Sequence, residues 1–179
     1  SGFVVKGVEK SLWSGIYIRS SYNVLKNNTV LGHCYGIHIY DSSGNVLRNN
    51  TIYGNRYDLE VWGLVLQHFL HDIDFSNQVN QKPVCYWVNK RDEQVPLDTG
   101  YVAVINCSNV VVKNLTLSNN GEGVLFAYTV NSIISNVTVL DNRRGIRLLS
   151  SDSNQMINCN VRYNGWCGVT VDASRDNTI

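Results

Sequence analysis

The stretch GIHIYDSSGNVLRNNTIYGNRY, residues 36–57, decides the fold. It opens on a run that alternates apolar and other residues with period two, Ile37-His38-Ile39-Tyr40, as a strand does. Asp, Ser, Gly and Asn follow, residues that tolerate left-handed bends. The same sentence is written again on both sides. GIYIRSSYNVLKNNTVLGHCY (15–35) precedes it and a unit opening DLEVWG (58–63) follows. Further on come YVAVINCSNVVVKNLTLSNNGE (101–122), GVLFAYTVNSIISNVTVLDNRR (123–144) and GIRLLSSDSNQMINCNVRYNGWC (145–167). Leu115-Thr116-Leu117 repeats the period-two pattern in the second half of such a unit.

Asparagine marks the period. Asn27, Asn49, Asn114, Asn136 and Asn158 are spaced 22, 65, 22 and 22 apart, so 65 is one short of three periods, and Asp72 fills a skipped place. A second column runs Asn55, Asn120, Asn142, Asn164. Units of about 22 residues with two or three short strands leave no room for a crossover helix. The economical solution stacks each coil on the last, giving an all-β, single-stranded, right-handed parallel β-helix of seven to eight coils over residues 1–179. Stacked amides bond up and down such a pile, so the 27/49/114/136/158 column is expected to point inward as a ladder. Ile16, Ile37, Leu59, Val102, Val124, Ile146 and Val169 are expected to line one sheet inside, and Val30, Ile52, Phe75, Leu117, Val139 and Val161 another.

Residues 78–100 exceed the period. They read as a hairpin or irregular coil whose Pro83, Val84, Tyr86 and Trp87 fold over the apolar outer stripe Ala103, Ile105, Leu125, Ala127, Leu149. The chain starts and stops in mid-coil without a polar cap. It therefore reads as a piece of a longer protein whose further coils, or another chain, cover both ends; stacking into a fibre is the alternative.

Bulk composition narrows the function. A net charge of +1 does not steer the chain toward nucleic acid. No apolar run approaches the roughly 20 residues of a membrane span. The five cysteines, Cys34, Cys85, Cys107, Cys159 and Cys167, form no CxxC pair, so no structural zinc is expected and they read as small core residues. His33, His38, His68 and His71 are scattered, and no metal or other cofactor is assigned. Asn27, Asn49, Asn114 and Asn136 stand in N-x-Thr sequons, but a shared inward column argues for the ladder. Asn106 (N-C-S) lies outside it and is the glycosylation candidate.

The outer face of the first three coils carries the candidate site. Tyr17, His38 and Glu60 fall in one column and Arg19, Tyr40 and Trp62 in the next. Aromatic rings beside polar groups suit a sugar, which has an apolar face and a fringe of hydroxyls. Glu60 has no carboxylate in the neighbouring outward positions, and glycoside hydrolysis needs a pair. The expectation is therefore a non-catalytic scaffold binding a polysaccharide or a glycoprotein glycan.

GIHIYDSSGNVLRNNTIYGNRY and GVLFAYTVNSIISNVTVLDNRRGIRLLSSDSN resemble the right-handed β-helix repeats of the NosD family, known as periplasmic copper-binding proteins. The wider group is the carbohydrate-binding and sugar-hydrolase repeat. HDIDFSNQVNQKPVCYWVNKRDEQVPLDTGYVAVINCSN looks like an element of archaeal surface proteins of this group. The resemblance implies an extracellular, cell-surface or periplasmic location and, as an alternative function, an accessory role in copper delivery. It carries over no catalytic residue.

Overall fold

The computed structural model describes residues 2–8 and 12–179. Parallel ladders at the expected spacing run through them, and the solenoid has two stacks of coils rather than one.

In the first stack, Ser14–Ile18, Tyr35–Tyr40 and Tyr57–Trp62 form one parallel sheet. Val24–Lys26, Val46–Arg48 and Asp72–Ile73 form the second, and Val4–Lys6, Thr29–Leu31, Thr51–Tyr53 and Gln78–Val79 the third wall. The chain then reverses. Asn80 and Gln81, with φ of 49° and 69°, make a two-residue turn with both central residues left-handed, the geometry that suits a twisted hairpin. Lys82–Val88 consequently pairs antiparallel with Gln78–Val79. From there Tyr101–Ile105, Glu122–Ala127, Arg144–Leu149 and Cys167–Asp172 add in parallel, completing a nine-stranded sheet. Two three-stranded sheets, 111–113/133–135/155–157 and 116–118/138–140/160–162, close the second stack.

Reversing strand direction while stacking continues has a geometric consequence. A solenoid of unchanged hand must now wind around the other face of the shared sheet. Burial agrees. Val30, Ile52 and Val79 line the first core, and on the same sheet face Val84, Tyr86, Ala103, Ile105, Leu125, Ala127 and Leu149 join that core. The alternate residues Cys85, Val102, Val104, Val124, Phe126, Ile146 and Leu148 face a second core with Leu117, Val139 and Met156. One face of the sheet is thus lumen wall for the first stack and outer wall for the second.

This corrects several expectations. The apolar stripe Ala103, Ile105, Leu125, Ala127, Leu149 is buried, but residues 83–87 do not cover it; they are a strand beside it, with Tyr86 paired to Ala103. Its cover includes Val61 and Phe69 of the first stack, with the 3-10 turn Leu66–Phe69 pinned by a hydrogen bond from the Tyr86 hydroxyl to the Phe69 carbonyl at 2.6 Å. The inward column Ile16, Ile37, Leu59 belongs to a different sheet from Val102, Val124, Ile146, Val169. Val79, not Phe75, lies next to Ile52, and Phe75 is exposed.

The asparagine ladders exist one residue away from the expected column. Asn27, Asn49, Asn114, Asn136 and Asn158 are exposed, with φ between 51° and 59°. They occupy left-handed bends, where asparagine is favoured for its backbone. The amides that bond from coil to coil are Asn28 to Asn50 and Asn50 to Asn77, each at 2.8 Å, and Asn23 to Asn45 at 2.9 Å. The Asn120, Asn142, Asn164 column is also a ladder: Asn142 accepts from the Asn120 amide N–H at 2.9 Å, and Asn164 from the Asn142 N–H at 3.1 Å. Asp72 is outside every ladder; it sits beside Val46 and pairs with Arg48.

Candidate functional site

The outer face of the Ser14–Ile18, Tyr35–Tyr40, Tyr57–Trp62 sheet has the register read from the sequence: Tyr17 beside His38 beside Glu60, and Tyr40 beside Trp62. The Arg19 guanidinium lies 5.7 Å from the Tyr40 ring centre. Tyr35, absent from the sequence-based set, stacks on His38 at 4.8 Å, while Tyr17 and Tyr40 stand 5.2 and 5.8 Å from the same imidazole. Tyr17, Tyr35 and His38 line a groove of about 490 Å³ together with Leu12, Trp13 and Ser14. Burial, opposed by the Glu60 charge, pushes the His38 pKa below its ordinary value. Burial and the same carboxylate raise Tyr35 to about 12. Both rings are therefore uncharged near neutrality.

Glu60 and Trp62 do not share that open surface, because the second stack docks on the last strand of the sheet. The Asp58 amide donates to the Asn119 carbonyl at 2.5 Å and the Gly121 amide to the Leu59 carbonyl at 2.9 Å. A Cβ on Gly121 would stand 2.4 Å from the Glu60 side chain, so only glycine allows this approach. Glu60 is fully buried, accepting from Arg143 at 2.6 Å and Arg144 at 2.9 Å, with His38 Nε2 3.5 Å from its other oxygen. Arg144 also reaches Glu122 at 3.3 Å. Burial first, then the Glu60 charge, lifts Glu122 to about 8. Trp62 is half-buried against two guanidiniums, Arg144 at 4.2 Å and Arg147 at 4.0 Å.

A paired carboxylate does exist, Glu60 with Glu122, but both are sealed in the junction and joined through Arg144. Sequence reasoning missed Glu122, Arg143 and Arg144 because they lie more than 60 residues from Glu60 in a stack whose docking the period does not reveal. Their one signal was the run Arg143-Arg144 with Arg147, unusual at outward positions of a chain with 16% charged residues.

The comparisons agree with this division. A profile for the right-handed β-helix region matches residues 8–80 and again 98–179, one match per stack. The chain belongs to the right-handed β-helix family. No curated protein and no solved structure matches it.

On this β-helix, the other candidate chemistries are spread out. His68 pairs with Asp41 at 3.1 Å, and His71 lies against the His68 carbonyl at 3.1 Å. Burial takes His71 down to about 4. Among the described residues, no three His, Cys, Asp or Glu side chains are grouped to hold a metal ion. All five cysteines are free thiols. Among the described residues no helix is long and apolar enough to cross a membrane. Asn106 is exposed, but its amide donates to Asn89 at 2.6 Å.

Proposed function

We propose that this β-helix is an extracytoplasmic scaffold that binds an extended glycan along the outer face of its first sheet. The observation that carries the reading is the ring cluster Tyr17, Tyr35 and His38 lining an open, largely apolar groove, with Tyr40 packed against Tyr17 and His38. Coils repeat at roughly 4.8 Å, close to the length of a sugar unit, so Tyr17 on one rung and Tyr35 and His38 on the next face neighbouring units. Glu60 and Trp62 contribute from beneath: Glu60 holds Arg143, whose guanidinium lies at the Tyr35 ring, and Trp62 packs on Arg144 and Arg147 of the second stack. Rigid aromatic side chains present contact area at little entropic cost, and each ring contact adds about 1 kcal/mol.

Calorimetric titration against a broad polysaccharide panel tests this. Tyr17→Ala, at a ring 52% exposed, should leave folding intact and weaken binding about tenfold. Wild-type binding to no member of the panel, or binding indifferent to Tyr17→Ala and Tyr35→Ala, contradicts it.

A further inference from the structure

The four N-x-Thr sequons change meaning once the ladder lies one residue away. Asn27, Asn49, Asn114 and Asn136 are exposed at corners of the solenoid, where the chain bends with φ between 52° and 59°. Their backbone N–H groups are held by the next coil, donating to the Arg48 carbonyl, the Ser76 hydroxyl, and the Ser135 and Ile157 carbonyls. Among the described residues their side-chain amides make no hydrogen bond, so a substituent on Nδ2 would displace no partner. The middle residue of each sequon turns inward: Asn28 and Asn50 bond in the ladder, and Leu115 and Val137 lie in the second core. Alternation along the strand then points the third residue, Thr29, Thr51, Thr116 or Thr138, outward, and none of the four is buried. Acceptor amide and threonine hydroxyl are thus presented on one outer surface, as an N-x-Thr acceptor requires.

Two other asparagines calibrate this arrangement. Asn106, in the sequon N-C-S, has its side-chain amide engaged with Asn89 at 2.6 Å. Asn158 matches the four in exposure and in φ, 51°, but Asn160 stands where the hydroxyl is needed. The acceptors also stack in pairs: Thr29 lies beside Thr51, and Thr116 beside Thr138, one coil apart at roughly 4.8 Å. One pair occupies the corner between the second sheet and the third wall of the first stack, the other the corner between the two three-stranded sheets of the second. Both corners stand apart from the Tyr17–His38 face, which belongs to the remaining wall of the first stack, and from the 119–121 turn that docks the second.

We propose that Asn27, Asn49, Asn114 and Asn136 are N-glycosylation sites, giving each stack one patch of covalently attached sugar. The donor class is an oligosaccharide carried on a polyprenyl phosphate or diphosphate, delivered by a membrane transferase. The asparagine Nδ2 bonds to the anomeric carbon of the first sugar, whose bond to the phosphate oxygen breaks. The lipid phosphate leaves with the electron pair, and a base of the transferase takes the amide proton. The inference rests on the extracytoplasmic placement proposed above and is independent of the ligand that the aromatic face takes.

Glycopeptide mass spectrometry of the protein from its own cells, beside fractionation of those cells, tests this. Sugar is expected on at least one asparagine of each pair, with Asn158 bare and Asn106 less occupied than the corner sites. Thr51→Ala and Thr138→Ala should remove the sugar from Asn49 and Asn136 while leaving both asparagines in place. Asn160→Thr, at an exposed strand position in register with Thr138, should add sugar at Asn158. That gain removes no buried contact, so it stays informative should a threonine variant fail to fold. An extracytoplasmic protein bare at all four corners, or modified at Asn106 alone, overturns the assignment while the placement stands. So does an Asn158 that stays bare in Asn160→Thr. A protein confined to the cytoplasm removes both.

Discussion

Exchanging Asn50 for alanine separates a buried ladder from a recurrent bend. The Asn50 side chain accepts from the Asn28 amide at 3.1 Å and from its side chain at 2.8 Å. It donates to Asn77 at 2.8 Å and to the Leu25 carbonyl at 3.0 Å. Alanine leaves two donors and a carbonyl without partners at a fully buried site, while Asn77 keeps the Asn50 backbone N–H at 3.2 Å. At about 1–3 kcal/mol per orphaned group, and allowing for non-additivity, the loss is about 3 kcal/mol. Asn49, next door, is exposed at φ 53°, so Asn49→Ala costs only the left-handed preference, about 1 kcal/mol. Urea unfolding followed by far-ultraviolet circular dichroism gives both midpoints. A larger loss for Asn49→Ala than for Asn50→Ala would restore the outer column as the ladder and refute this register.

Three further outcomes follow from the junction. Glu60→Gln should destabilise by about 3 kcal/mol, since two arginines lose a buried charged partner, read as a fall in urea midpoint. Gly121→Ala should cost about 1–3 kcal/mol and expose Trp62 to acrylamide quenching, because the new methyl meets Glu60 at 2.4 Å. Stability should also fall from pH 6.5 to 8. Glu122 has a folded pKa of about 8 against an ordinary 4.5, so in that window the folded state holds a proton that the unfolded chain has lost. Asp58, raised to about 6, acts in the same direction only at lower pH, where His71, lowered to about 4, opposes it. Glu122→Gln should flatten the decline, and an unchanged slope in that variant counts against the buried proton.

The repeat was legible because each corner of the solenoid demands one residue type at one period. What the period could not distinguish was which of two adjacent asparagines turns inward. In Asn27-Asn28 and Asn49-Asn50 the first takes the left-handed bend and the second the ladder. In the second stack the same inward slot holds Leu115 and Val137, so the bend column continues while that ladder stops. The reversal at Asn80-Gln81 lay in a segment marked as irregular, yet its effect on which face is outside depends on strand direction, which composition does not encode. Tyr17, Arg19, His38 and Tyr40 were placed together by period alone because they share one sheet. Glu60 and Trp62 were placed correctly in register but not in exposure, since their cover comes from residues 119–147 of a stack that winds on the other side.

Hydrogen exchange with bound glycan tests the central claim most directly. Added glycan should slow backbone exchange in 12–19 and 35–40 of the first stack. Protection confined to the opposite walls of either stack, or absent under saturating ligand, would contradict an aromatic platform on the outer face of this sheet.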